Sequence, residues 1–284
     1  MIAITGASGH LGQLTIEALL KRGVPPQEIV AVVRTPEKAA ALAEQGVQVR
    51  QGDYTRPETL VSALQGVQKL LLISSSDFAD RVGQHRNVIE AARQVGVSLI
   101  AYTSLLRADT STLSLAADHK ATEELIRASG LPFVFLRNGW YLENYNPAQA
   151  AAQGAVLGSA GEGRVSAASR ADYAAAAAAA LTQPQQASGT VYELGGDQAF
   201  TLGELAAEVQ AQSGRPVAYQ NMPAADYAQA LLGFGLPAPV AEMLADSDTG
   251  LANGELHTDS RDLSRLIGRP TTSLQESVRA ALQG

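Results

Sequence analysis

Short apolar runs alternate with amphipathic stretches through the first half of the chain. Ile2 to Ile4, Ile29 to Val33, Val47 to Val49, Lys69 to Ile73, Leu99 to Thr103 and Phe133 to Leu136 are each too short for a helix and read as buried strands. The stretches between them carry apolar residues at helical spacing. Breaks fall at Gly23-Val-Pro-Pro26 and at Gly46, Gly66, Gly96 and Gly130. Strands and helices alternating through short links predict parallel strands joined by right-handed crossovers. Gly154, Gly158, Gly161 and Gly163 predict a loop. Ser169-Arg-Ala-Asp172 then reads as a capping box opening the alanine-rich helix of Ala174 to Ala180.

From Gly189 the pattern changes. Val191 to Leu194 and Val217 to Tyr219 read as short strands, and Thr201-x-x-Glu204 caps a helix reaching about Gln212. Ala224 to Leu244 and Leu274 to Leu282 read as helical. The expected fold is α/β: a doubly wound parallel sheet over residues 1–145, with 164–195 returning to it. Residues 146–163 and 196–284 form a smaller, mainly helical lobe on the substrate side.

Chemistry concentrates where the strands end. Between the first strand and the first helix lies Gly6-Ala7-Ser8-Gly9-His10-Leu11-Gly12, with G-x-x-G-x-x-G spacing. Gly6 lets the chain turn off the strand, Gly9 lets backbone approach a ligand, and Gly12 lets the helix pack on the sheet. The helix then directs free N–H groups and its positive dipole end at whatever lies over the turn, an arrangement suited to a pyrophosphate. The second strand ends in Arg34. At that place a carboxylate would bind a free ribose 2′-hydroxyl, whereas an arginine accommodates a 2′-phosphate, so Arg34 favours NADP(H) unless it is only a solvated strand-end charge. Lys38, one turn further, reads as a solvated helix residue. Gly6, Arg34, Asp53, Ser74 and Thr103 all fall at the carboxyl ends of strands, where ligands lie in such sheets.

The sixth strand leads into Arg137-Asn-Gly-Trp-Tyr-Leu-Glu-Asn-Tyr145, which holds the sole tryptophan. Amides beside aromatics suit a nicotinamide ring with a flat substrate stacked on it, although Trp140 and Tyr141 could equally cover the core. Arg170 falls in the first turn of a helix, where the dipole disfavours a cation, and is therefore a candidate substrate-side residue. Asp172 reads as a structural cap.

Composition narrows the classes. Charged residues make up only 17% and hydrophobic ones 46%, which is globular usage. A net charge of −7 argues against a nucleic-acid partner. The chain contains no cysteine, which removes thiolate ligands, disulfides and cysteine nucleophiles. No apolar run approaches about 18 residues and no signal-peptide pattern opens the chain, so the expected location is cytoplasmic, without membrane insertion. His85, His119 and His257 are scattered without metal-ligand spacing and read as structural or surface residues, whereas His10 lies in the glycine turn.

With the glycine turn, Arg34 and the Leu136-Arg-Asn-Gly-Trp-Tyr141 loop, the chain resembles the NmrA-like branch of the atypical short-chain dehydrogenase/reductase family. Leu70 to Ser76, Ile100 to Leu106 and Met243 to Asp248 extend the likeness over nearly the whole chain, towards the bacterial quinone-reducing members of that branch. The resemblance implies an extended Rossmann-type domain that binds NADPH/NADP+ without flavin or metal and passes hydride to a quinone-like small molecule. By carry-over, Gly6, Ala7, Ser8, Gly9, His10 and Leu11 hold the phosphates, Arg34 the 2′-phosphate, and Ser74, Ser75 and Ser76 the ribose region. Asn138, Gly139, Trp140, Tyr141, Leu142 and Glu143 lie along the nicotinamide side, and Arg170 near the substrate end.

One feature departs from the wider superfamily. Its usual Tyr-x-x-x-Lys pair is missing: Tyr102 is followed four residues later by Leu106, Tyr141 by Tyr145, and Tyr173 by Ala177. The expectation is therefore no dedicated catalytic acid, with hydride transfer resting on positioning over an acceptor whose reduced form is aromatic. An NADP(H)-binding redox sensor without turnover and a dye or azo reductase of the same branch are the alternatives. The sequence is compatible with a homodimer.

Overall fold

The computed structural model describes residues 1–77, 79–183 and 188–283. The first apolar run forms β1 (Ile2–Thr5), and the glycine turn leads into α1 (His10–Lys21). There follow β2 (Ile29–Val33), α2 (Ala40–Glu44), β3 (Gln48–Gln51), α3 (Pro57–Ala63), β4 (Lys69–Leu72) and α4 (Arg81–Val95). Next come β5 (Leu99–Leu105), α5 (Ser114–Ala128), β6 (Phe133–Asn138), α6 (Pro147–Gln153), β7 (Ala155–Gly158), α7 (Arg170–Thr182) and β8 (Thr190–Leu194). The chain continues through α8 (Leu202–Ser213), β9 (Ala218–Asn221), α9 (Ala224–Gly233), α10 (Ala238–Ala252), α11 (Asp262–Ile267) and α12 (Leu274–Gln283).

Seven strands form one sheet in the order β3-β2-β1-β4-β5-β6-β8. Pairing is parallel from β3 across to β6, with Ile2 opposite both Ile29 and Lys69. This is the Rossmann-like, doubly wound arrangement. Its strand order reverses at β1 and β4, which opens a crevice beyond their carboxyl ends. A sheet covered on both faces needs apolar residues at every strand position, and all five residues of β2 are buried. Each such Val or Ile contributes about 1.5–3 kcal/mol. One face packs Val30, Val32, Leu70, Leu72 and Tyr102 against α3, α4 and α5. Elsewhere in the sheet layer, α7 lies against α1 and touches β4, β5 and β6. Its alanines permit that approach: Ala174 and Ala176 to Ala180 are buried, and a larger side chain would hold the helix off.

Several boundaries differ from the sequence expectation. α4 starts at Arg81, directly after Asp80, whose carboxylate accepts the Gly83 N–H as an N-cap. Pro36–Ala39 is a 3-10 turn ahead of α2. The glycine-marked loop at 154–163 contains β7, which pairs in parallel with β9. Ala155-Val-Leu157 is apolar enough to form a strand, and Gly154, at φ +74°, only closes α6. Gly235, at φ +86°, and Pro237 divide the expected 224–244 helix into α9 and α10. The Thr201–Glu204 capping box is present, with Thr201 Oγ1 accepting the Glu204 N–H and Glu204 accepting the Thr201 N–H.

Packing divides the chain into two compact units. Unit 1 comprises residues 1–108, 118–138 and 170–192, and unit 2 comprises 109–117, 139–169 and 193–284. Residues 139–145, 164–169 and 193–195, which the motif reading grouped with the sheet, pack in unit 2. There the Gly139 N–H donates to Leu194 O and the Leu142 N–H to Ala168 O. Residues 109–117 belong there too, through Ser114 Oγ on Asp246 and Thr112 Oγ1 on Glu255.

Candidate functional site

In unit 1 the glycine turn has the geometry an anion needs. Gly6 takes φ +60°, a left-handed conformation that favours glycine, and its carbonyl accepts the Gly9 N–H at 2.9 Å. Gly9 is the N-cap of α1 and supplies no capping side chain, and the first turn holds no acidic residue. The leading N–H groups of α1 thus face outward with no carboxylate competing for a phosphate. Gly12 has a different partner from the expected one. A Cβ there would lie 2.6 Å from Gly6 O and 2.7 Å from Ala7 Cα, so this glycine packs the helix against the turn itself. His10 is exposed. Thr5, under the turn, accepts the Ile73 N–H and the Tyr54 hydroxyl and donates to Leu71 O, which ties the ends of β1 and β4 together.

Arg34 ends β2 and is exposed. Its guanidinium makes no hydrogen bond or ion pair with a described residue, yet it helps hold the Asp53 and Asp77 carboxyls below their ordinary range. At Asp53 the larger cause is the Thr55 N–H, and at Asp77 it is the Ala79 N–H. A long cation with its donors unspent, at the end of the second strand, can meet a phosphate.

Ser74 to Ser76 follow β4, and Ser75 is clamped from α4. Arg81 Nε donates to Ser75 O at 2.8 Å, and Gln84 Oε1 accepts the Ser75 hydroxyl at 2.7 Å. His85 Nε2 accepts the Ser75 N–H at 2.8 Å. The Thr122 hydroxyl donates to Asp118 O, so its lone pair faces His85 Nδ1 at 2.9 Å. Those partners assign the imidazole proton to Nδ1 and leave Nε2 as the acceptor.

Burial, with the Arg81 charge, pushes His85 down to about 3 and His119 likewise to about 3. Both rings are neutral in the fold. Between their ordinary value of 6.5 and about 3 the unfolded chain binds protons that the folded chain does not, so stability falls as pH drops through that window. Replacing His85 with Phe keeps the bulk and removes the acceptor. Stability should fall by about 1–3 kcal/mol from the unmet Ser75 N–H, with NADPH affinity falling alongside it. Chemical denaturation and a cofactor titration measure the two effects. An unchanged affinity would show that the clamp does not shape the site.

Asn138 is the last residue of β6 and is buried. Gly139 to Tyr141 lead into a 3-10 turn at Leu142–Asn144, where Glu143 is exposed. Trp140 is 8% exposed and Tyr141 half-buried. Arg170, half-buried, opens α7. Tyr102 and Tyr173 are core residues, and the Tyr102 hydroxyl lies 2.8 Å from His119 Nδ1. No group of three or more His, Cys, Asp or Glu among the described residues could hold a metal ion, and none of their helices is long and apolar enough to cross a membrane.

Unit 2 contains a cavity of about 230 Å³. Trp140, Tyr227, Leu231, Phe234 and Leu244 supply apolar wall, and Tyr145 and Asp248 bring polar groups. The Tyr145 ring meets Phe200 edge-on at 5.9 Å. Sequence reasoning missed this cavity, because its walls come from α6, β7, α8, α9 and α10 and no local pattern links them. The α4 clamp was also missed, although Arg81, Gln84 and His85 share a helical face directly after the serine run, and that spacing was a usable signal.

Residues 6–184 match the protein-family model described as NAD(P)H-binding. The chain is 56% identical over 280 residues to quinone oxidoreductase 2 of Escherichia coli (strain K12), covering 98% of this chain and 97% of that protein. It superposes with a TM-score of 0.95 on the crystal structure of the E. coli NADPH-dependent quinone oxidoreductase complexed with NADPH, covering 98% of each chain. It is also similar to the Citrobacter sp. triphenylmethane reductase complexed with NADP(H), at 41% identity and TM-score 0.94 over 99% of this chain and all of that one. With its uncapped glycine turn, its strand-end arginine and likeness along its whole length, the chain belongs to the NAD(P)H-binding, NmrA-like family that includes quinone oxidoreductase 2.

Proposed function

We propose that this protein is a flavin-independent, NADPH-dependent reductase of quinones or similar flat, electron-poor acceptors. The observation that carries the reading is the pairing of the uncapped glycine turn with Arg34 at the end of β2. The names of the relatives at 56% and 41% identity support it. In this reading residues 6 to 11 hold the pyrophosphate through backbone N–H groups, and Arg34 holds the 2′-phosphate. Ser74 to Ser76, with Ser75 fixed by Arg81, Gln84 and His85, line the ribose region. Asn138 to Glu143 serve the nicotinamide side and Arg170 the acceptor side, two assignments that rest on the resemblance. When bound, NADPH supplies a hydride. The residues contribute orientation and exclusion of water rather than a dedicated Tyr/Lys acid, because the quinone's reduced form is stabilised by its own aromaticity.

The test is oxidation of NADPH by purified, flavin-free protein with a simple quinone, beside an NADH control. Turnover with NADPH and little with NADH is expected; NADPH binding without turnover on any quinone would replace this reading with that of a redox sensor. Arg34→Ala should raise the KM for NADPH by roughly 10–100-fold, the equivalent of one charge-assisted hydrogen-bonding partner, and leave NADH use unchanged. Equal losses with both cofactors would remove Arg34 from the 2′-phosphate.

A further inference from the structure

The cavity of unit 2 has an aromatic and aliphatic wall, with Asn144, Asn146, Gln149 and Gln153 on its lining beside Tyr145 and Asp248. There the Tyr145 hydroxyl is buried and meets no hydrogen-bond partner among the described residues. A buried hydroxyl costs free energy unless a ligand or an ordered water meets it. Asp248 lines the same cavity. Its carboxylate accepts one backbone bond, from the Ser159 N–H at 2.8 Å, and burial lifts it to about 6 despite that bond. The two groups are near enough for the Asp248 charge to push the Tyr145 phenol further up, yet no hydrogen bond joins them. Tyr219 and Tyr227 are the other titratable groups against the pair. The Tyr219 hydroxyl is already spent, donating to Asn221 and accepting the Ala160 N–H. A phenol without a hydrogen-bond partner among the described residues and a carboxylate with a single backbone donor thus line one space with Trp140 and Tyr227.

We propose that this cavity binds a small flat aromatic molecule bearing a phenolic oxygen, with the oxygen bridging the Tyr145 hydroxyl and the Asp248 carboxylate and the ring held against the aromatic wall. A phenol or hydroquinone hydroxyl donates to Asp248 and accepts from Tyr145, so one ligand atom satisfies both groups. A carbonyl or ether oxygen can only accept and leaves the carboxylate unmet. At about 230 Å³ the space lies below the roughly 300–1,000 Å³ of pockets for drug-sized ligands, which favours one- or two-ring compounds over extended dyes.

The ligand class rests on the quinone-reductase reading, since a hydroquinone is what that reaction releases. Binding is therefore measured calorimetrically in the full-length protein without NADPH, which separates it from turnover. The probes are 2-naphthol and its methyl ether, 2-methoxynaphthalene, which keeps the ring and loses the donor. Wild type should bind the naphthol at least roughly 10-fold more tightly than the ether. Asp248→Asn should erase most of that preference and leave the ether's affinity unchanged, whereas Tyr145→Phe removes a donor that both probes accept from and should weaken both while the preference remains. Both variants should fold, because Asn retains an oxygen for the Ser159 N–H and Tyr145→Phe removes only an unpaired hydroxyl. Equal affinity for the two probes in wild type, or no binding of either, would overturn the proposal. Naphthol selectivity in a protein that turns over no quinone would overturn the reductase reading and leave the oxygen site standing.

Discussion

Replacing Glu123 with alanine is expected to destabilise the protein by about 3–5 kcal/mol, the cost of breaking a buried ion pair by removing one member. Glu123, on α5, is 3% exposed and Arg137, on β6, is 4% exposed. The guanidinium meets the carboxylate in two parallel bonds, Nε to Oε1 at 2.8 Å and NH2 to Oε2 at 2.7 Å, and Ser104 Oγ donates to Oε1 at 2.7 Å. Arg127, stacked over Phe133 and Phe135, stands 3.6 Å from the other carboxylate oxygen. Alanine removes the anion and keeps the desolvated Arg137 charge at the ends of β5 and β6. The double variant Glu123→Leu with Arg137→Met should recover most of the loss, because an apolar pair of similar volume carries no desolvation penalty. Urea unfolding of the wild type, the single variant and the double variant gives the comparison. A single-variant loss below about 1 kcal/mol, the range of exposed pairs, would mean that water reaches the pair.

Gly12→Val should abolish useful cofactor binding. A Cβ at Gly12 meets the Gly6–Ala7 backbone of the turn, Gly6 O at 2.6 Å and Ala7 Cα at 2.7 Å, and neither can rotate away. Either the turn or the start of α1 has to move. Displacement on the scale of an ångström misaligns the phosphate-facing N–H groups, and NADPH affinity should fall by roughly 100-fold or more. Overpacking should also cost about 1–3 kcal/mol of stability. A cofactor titration paired with a thermal melt separates the two effects. A folded Gly12→Val protein that binds NADPH as the wild type does would show that the turn is not the phosphate site. Gly23 is the contrasting position, since its Cβ would meet nothing within 4 Å and only its φ of +83° opposes substitution.

The strand–glycine–helix unit and the Rossmann-like sheet were legible because each element's signal is local. Ile29 to Val33 is buried along its whole length, and a strand covered on both faces has to be written as an uninterrupted apolar run. Arg34 needed only its place after that run. The Thr201–Glu204 box was equally plain, since both partners fall within one helical turn. Glycine misled at 154–163. The same residue type that marks a turn also ends a helix, as Gly154 does for α6, and Ala155 to Gly158 then proceed as a strand.

The sequence by itself determined which residues stand at strand ends, and hence the glycine turn, because strand and helix periods order neighbours along one segment. Only the tertiary structure decided what lies beside what across segments. The His85 acceptor sits under the Ser75 N–H, and the Glu123 carboxylate lies against Arg137. Tyr145 and Asp248, far apart in sequence, line one cavity with residues of several separate elements. These pairings carry no periodic signature. Burial first brings the groups together, and only in that low dielectric do an unmet hydroxyl, a lifted carboxyl and a neutral imidazole acquire their chemistry.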